Sequence, residues 1–444
     1  MSQEIIRSLG DNLVLRRATR HDAERLSTFD AHVLHDSGAD QPDEHVAAWV
    51  RDLLERPHPT FQPGDFTIVE DTTTGQIVSS LCLISQTWSY EGVEFGVGRP
   101  ELVATHPDYR RRGLVRAQFD AIHGWSAERG EQVQAITGIP WFYRQFGYEM
   151  AMNLGGMRLG YKPQVPKLGD GQEEPYVIRP AAESDLGFIA QVYEQGCRRY
   201  PLSCVRDEAI WRYEWNGQGA KNVNRRELAI VETPEGEPLG FLAHHFRPWG
   251  GRIGLAIYEL KAGVSWPAVT PSVIRYLWAR GEESATLDPA HEMERFSLQL
   301  GEAHPAYAAI RRQLPHQVQP YAWYLRVPDL PDFIRHLTPA LERRLANSIA
   351  AGHTGELYVS FYRSGLHLVF EGGRLVEVAP WQPTVEKKGE ALFPDLTFLQ
   401  LLFGYRSLEE LERTYADCGL SSDAAWALLE ALFPRAPSDL WPLS

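Results

Sequence analysis

The chain has 444 residues, 43% hydrophobic and 23% charged, with 44 basic against 58 acidic side chains and a formal net charge of −14. A chain this long exceeds one ordinary core, so two or three domains are expected, and the acid excess argues against nucleic acid as a partner because phosphate binding needs a basic face. No apolar run is long enough to span a bilayer and "MSQEIIRSLGDNLVLRR" lacks the plan of a secretory signal, so no membrane partner and a cytoplasmic location are expected. Cys82, Cys197, Cys204 and Cys418 form no C-x-x-C pair, so neither a zinc site nor a redox dithiol is indicated, and no metal is expected. The acidity attracts cationic small molecules and also serves solubility.

In chain order, "VLRRATRHD" (Val14 to Asp22) reads as a strand and polar turn leading into the helix "AERLSTFDAHVL". "FTIVED", the turn "TTTGQ" and "IVSSLCLISQTWSY" read as a hairpin, and "ELVATHP" as a further strand. "GLVRAQFDAIHGWSAERG" has Val115, Phe119, Ile122 and Trp125 on one face, which predicts a helix closed by Gly130. "QVQAITG" is the next strand. After a linker at "PKLGDGQEEP", "VIRPAAESD" (Val177 to Asp185) repeats the opening: Val14, Leu15, Arg16, Ala18 and Asp22 match Val177, Ile178, Arg179, Ala181 and Asp185. A helix "LGFIAQVYEQGC" and a hairpin "RELAIVET", "PEGEP", "LGFLAHHFRPW" follow, so two related domains are expected. From Pro328 on, "PDFIRHLTPALERRLANS" reads as a helix, "GELYVSFYRSGLHLVFEGGRLVEVAP" as strands turning at Gly372-Gly373, and "LTFLQLLFGY" and "SDAAWALLEALF" as apolar helices.

"VATHPDYRRRGLVRAQ" carries Arg110, Arg111 and Arg112 and then Gly113, between a strand and a helix. Unpaired backbone N–H groups and the dipole at a helix start can hold a phosphate, and arginines add forked donors. A solvated basic cluster is the other reading of this run. Thirty residues on, "ITGIPWFYRQFGYEMA" places Tyr143 and a Y-x-x-x-G-Y pattern after a strand.

Together, Arg110-x-x-Gly113-x-Val115 and Tyr143 resemble the two ends of the acyl-CoA site of the GNAT acetyltransferases, with Val115 where glycine or alanine is usual. "HPDYRRRGLVRAQ" with "FYRQFGYEMA" is similar to the enhanced intracellular survival (Eis) subgroup, as is the tail "LLFGYRSLEEL…LEALFPRAPSDLWPLS". The resemblance implies an α/β (α+β) chain of tandem GNAT-like mixed-sheet domains and a sterol-carrier-protein-like α+β domain. The expected boundaries are 1–165 for the catalytic domain, 166–327 for a second GNAT-like domain without a cofactor loop, and 328–444 for the third. It also implies a homo-oligomer, a hexamer, and acetyl-CoA as acyl donor.

Carried residue by residue, the resemblance gives the exposed strand edge Val103, Ala104 and Thr105 to the pantetheine arm, which pairs like an added strand. Arg111, Arg112, Gly113, Leu114, Val115 and Arg116 would take the pyrophosphate, and Gly138 and Ile139 would flank the arm. Tyr143 would be the general acid: a phenol titrates near ~10 and a thiol near ~8.5, so the phenol stays protonated while meeting the leaving thiolate. The α-carboxylate of Ser444 would be the base. Glu101 and Glu94 are alternative bases, and His106 and His123 read as structural or solvent-facing. Trp88, Tyr90, Trp141 and Phe142, with Asp30 and Asp36, form a candidate aromatic and acidic surround for an amine.

The expected activity is transfer of acetyl from acetyl-CoA to a primary amine of a small, cationic, possibly aminoglycoside-like acceptor. The alternatives are a lipid or sterol carrier, suggested by the apolar helices near the end, and a regulatory acyl-CoA binder.

Overall fold

Three sheets organise the computed structural model, which describes residues 4–35, 41–287 and 293–444. The first runs Ile5–Gly10, Leu13–Arg17, Phe66–Asp71, Gln76–Tyr90, Val93–Thr105, Val133–Ile136, Tyr321–Arg326, Glu149–Leu154, with Leu202–Cys204 pairing to the end of Gln76–Tyr90. The second runs His316–Val318, Met157–Tyr161, Arg295–Leu298, Arg252–Leu260, Pro238–His245, Arg226–Glu232, Val177–Pro180. The third holds Arg374–Trp381, Gly365–Glu371, Gly355–Ser360 and two short strands. Gly372 and Gly373 make its two-residue turn, both at positive φ, as a type I′ hairpin requires.

The sheets cross the boundaries expected at 165/166 and 327/328. Met157–Tyr161 leaves the first sheet and pairs with Arg295–Leu298 in the second. Tyr321–Arg326 returns and inserts between Val133–Ile136 and Glu149–Leu154. The crossing strands pass tightly at Gly156, where a Cβ would lie 3.0 Å from the Pro320 nitrogen.

The repeated sequence has a physical meaning. Arg16 grips both oxygens of Asp22 (2.7 and 3.0 Å) and, through Nε, Glu70 (2.9 Å) on the neighbouring strand. Arg179 makes the same clasp on Asp185 (2.7 and 3.0 Å) and Glu232 (2.9 Å). Each aspartate also accepts a backbone N–H three residues upstream, from Thr19 or Ala182, and so closes the turn that starts the helix.

Helix Ala23–Val33 forms where expected, and a second helix, Glu44–Glu55, packs beside it. Asp43 caps the latter by accepting from His45 and Val46, and Trp49, Val50, Leu53 and Leu54 bury its apolar face. Helix Leu114–Glu128 lies on the other face of the sheet and buries Phe119 and Ile122. In the last region, helix Leu330–Ala346 and the tip of the hairpin 76–105 share one core, with Phe95 edge-on to Phe333 at 5.1 Å. Phe398–Leu402 and Asp423–Leu432 pack into that core as well. The chain beyond residue 433 then runs as an irregular segment back toward the first two sheets.

Candidate active site

The hairpin strand Val93–Thr105 runs parallel to Val133–Ile136, but the two pair only at Val97–Val133 and Gly98–Gln134. Beyond that point they part. A bulge reinforces the divergence: Leu102 sits at φ 52, and the register against the preceding strand slips between Ser80 and Cys82. Ser80 Oγ donates to Leu102 O and to buried Asp30, whose carboxyl burial pushes up to about 8. Asp30 therefore lies within the first helix and braces the bulge rather than facing an acceptor. Asp36 lies outside the described residues.

Val103, Ala104 and Thr105 follow the bulge on the unpaired edge. The turn after them ends at Gly113, φ 76 and ψ 9, which caps helix Leu114–Glu128. A Cβ at Gly113 would touch nothing within 4 Å, so the left-handed backbone is what demands glycine there. The helix's first bond runs from Ala117 N–H to Gly113 O, at 3.1 Å. The N–H groups of Gly113, Leu114, Val115 and Arg116 precede it and have no intrahelical acceptor. Arg111 and Arg112 are exposed beside them, Arg112 lying over the Tyr109 ring at 4.8 Å, and Arg116 donates to Gln145 at 3.0 Å. Leu114 is buried and Val115 half-buried, so their side chains anchor the turn while the backbone faces out.

Tyr143 lies in the short helix Phe142–Phe146, among Phe119, Phe142, Tyr148 and Tyr324. Burial, with the Glu101 charge second, pushes its phenol well above the usual value. Gly138, φ 121, ends strand Val133–Ile136; a Cβ there would sit 3.6 Å from the Tyr143 hydroxyl. Ile139 beside it is exposed.

Ser444 is buried at the other side of the splay. Arg99 Nη2 donates to its Oγ at 3.1 Å, and Tyr213 Oη and Gln218 Nε2 donate to its O at 3.1 and 3.3 Å. The residues before it are held as firmly: Gln86 donates to Leu443 O (2.7 Å), and Arg206 to Trp441 O (3.0 Å). Glu101 pairs with Arg99 at 3.0 Å and shares with Ser444 a cavity of ≈ 410 Å³ between the first two sheets.

Other candidates fall elsewhere. Trp88 and Tyr90 are core residues under the third region, and the Glu94 carbonyl accepts from His336. His106 caps its own turn by accepting from Asp108 N–H, and His123 bonds Tyr148 Oη at 2.9 Å. Burial and nearby Arg326 hold His123 down to about 3. Trp141 is exposed, and Phe142 packs against Tyr143. Sequence reasoning missed Trp49, Arg206, Trp211, Glu214, Gln218 and Arg226, which line the same cavity. The available signal was "AIWRYEWNGQ", whose helix widens into a π turn at Tyr213–Gly217, a feature frequent at functional sites. No group of three or more His, Cys, Asp or Glu among the described residues is placed to hold a metal ion, and none of their helices is long and apolar enough to cross a membrane.

Comparison with known proteins agrees with this geometry. A family model of an acetyltransferase (GNAT) domain matches residues 14–151. The N-acetyltransferase Eis of Mycobacterium tuberculosis is 28% identical over 115 residues, 24% of this chain and 28% of that protein. The chain thus matches little more than a quarter of the length of that relative. A GCN5-related N-acetyltransferase from Kribbella flavida superposes with a TM-score of 0.64 at 17% identity, covering 98% of this chain and 99% of that one. Eis1 from Mycobacterium abscessus gives 0.57 at 15% identity over 95% and 97%. At such identities these two show a shared fold. Residues 14–151 thus match a GNAT acetyltransferase domain, and the whole chain shares the fold of these solved structures.

Proposed function

We propose that the chain is an acetyl-CoA-dependent N-acetyltransferase acting on a primary amine of a small acceptor. One observation carries the reading: a single splayed strand pair has the open helix start at Gly113 near one end and Tyr143, Glu101 and Ser444 around its gap. Bound acetyl-CoA supplies an activated acyl carbon as a thioester.

The edge Val103 to Thr105 offers backbone partners to an extended arm, and the N–H groups of residues 111–116 offer a cradle for a pyrophosphate. A backbone N–H on that edge is suited to the negative charge that grows on the thioester oxygen. The acceptor ammonium gives one proton to the Ser444 carboxylate and thence to solvent. Nitrogen then bonds to the acyl carbon as the C–S bond breaks. Tyr143 donates its phenolic proton to the departing sulfur and recovers one from the nitrogen, so the products are an amide, a thiol and one released proton. Burial that raises the Tyr143 phenol also raises a thiol held beside it, so the transfer stays close to balanced. The second reading, a lipid carrier, is not favoured, because Phe398, Leu401, Leu402, Leu428 and Leu429 are buried in the region's own core.

Tyr143→Phe tests the proposal. Turnover, followed as free thiol from acetyl-CoA and an amine panel, should fall ~10²- to 10⁴-fold while calorimetric acetyl-CoA affinity stays constant. Unchanged turnover removes the acid role from Tyr143, and absence of acetyl-CoA binding by the parent protein removes the function.

A further inference from the structure

The cavity that ends at Ser444 contains more charges than acetyl transfer uses. It is lined by Arg99, Arg206 and Arg226 and by Glu101, Glu214 and Asp439, together with Ser444. Two ion pairs account for much of this: Arg99 with Glu101 at 3.0 Å, and Arg206 with Glu214 at 2.8 Å. Asp439 is half-buried, and desolvation pushes its carboxyl up to about 7.

Arg226 is different. Among the described residues it has no carboxylate within ion-pair distance. Its Nη1 donates to the carbonyls of Val223 (3.4 Å) and Arg225 (3.1 Å), and the Trp441 ring covers one face, with Cζ 5.5 Å from the centroid. Its Nε has no hydrogen-bond partner, nor has Nδ2 of Asn224, which also lines the cavity. The Nε–Nη2 edge left over is the edge with which arginine makes a side-on fork to a carboxylate. Burial without an anion in contact weakens the guanidinium's hold on its proton, moving it down to about 10. The Ser444 carboxylate stands in the same cavity, and Tyr213 and Gln218, both neutral, donate to it. Of the arginines that line this cavity, Arg226 is thus the one left without a carboxylate in contact among the described residues. The cavity volume of ≈ 410 Å³ lies toward the small end of ligand pockets (~300–1,000 Å³), which suits a small acceptor.

We infer that the acceptor is a small zwitterion, a primary amine that carries a carboxylate, with the carboxylate forked to Arg226 and the amine turned toward Ser444. The inference rests on the acetyl transfer proposed above. The carboxylate is not consumed; it positions the amine for the same bond exchange.

The full-length protein with acetyl-CoA should be assayed for thiol release against α- and ω-amino acids, each beside its carboxamide and its decarboxylated amine. The best amino acid should exceed its carboxamide in kcat/KM by on the order of 10- to 100-fold, the range for a hydrogen bond between charged groups. Arg226→Met should bring that ratio near one. If Arg226→Met does not fold, the parent protein's ratios decide alone. Carboxamides or plain amines turned over as well as the amino acids, or turnover of no amino acid, would overturn the inference while calorimetric acetyl-CoA binding leaves the proposed function standing. Loss of acetyl-CoA binding itself would overturn both.

Discussion

Replacing Arg16 by methionine keeps most of the side-chain length and removes the charge from the clasp of the first domain. The Arg16 side chain is 2% exposed and the Asp22 side chain 3%, so the variant leaves a buried carboxylate whose remaining countercharge is the half-exposed Arg25 at 3.5 Å. Breaking such a pair costs about 3–5 kcal/mol. The equivalent Arg179 is 38% exposed, and water screens what its removal leaves behind, so Arg179→Met should cost about 1 kcal/mol or less. The two variants share geometry and chemistry and differ in burial, which makes each the control for the other. Calorimetric unfolding gives the stabilities, and hydrogen exchange shows whether the loss centres on residues 14–35 and 66–71. Burial alone pushes the Asp22 carboxyl up, but Arg16 and Thr19 outweigh it and hold it below its usual range. That stability is present above the unfolded carboxylate value of about 4 and is lost as pH falls through the lower folded value. The gap between parent and Arg16→Met should therefore be wide at neutral pH and close in acid. Equal destabilisation of the two variants, or a gap that does not change with pH, would refute the reasoning.

Two further outcomes follow from the tail. A few residues added after Ser444 displace its carboxylate from Tyr213 and Gln218, and kcat should drop ~10²-fold or more with acetyl-CoA affinity retained; full activity in steady-state assays would move the base to Glu101. His58 packs edge-on to Tyr213 at 4.5 Å, and burial, with a smaller contribution from Arg99, holds its imidazole down to about 4. The unfolded chain binds that proton first, so stability should decline as pH falls from about 6.5 toward 4, and His58→Gln should lack this component of the melting-temperature profile.

Local signals were legible and long-range ones were not. The helix start at Gly113 could be read because the arginine run, the glycine and the first apolar helix positions lie within a few residues of one another. The duplication could be read because Arg16 and Asp22 are six apart in both copies; that Glu70 and Glu232 complete the clasps could not, since each lies on a different strand. Helix Glu44–Glu55 was missed although Asp43 and the Val46, Val50, Leu53 spacing mark it. Helix Trp266–Leu287 was hidden by Pro271 within its first turns. The cavity at Ser444 was illegible for a deeper reason: Arg99, Arg226 and Ser444 come from three distant stretches of chain, and only the tertiary fold brings them together.

The exchange of strands at Met157–Tyr161 and Tyr321–Arg326 also bears on how the protein is born. On a ribosome adding ~5–20 residues each second, the first sheet waits for a strand made about 165 residues later. Until Tyr321–Arg326 emerges, Val133–Ile136 and Glu149–Leu154 lack the neighbour that joins them. The nascent first domain is therefore an open sheet with unpaired edges on the order of ten seconds or longer, and the two domains ripen together rather than in succession.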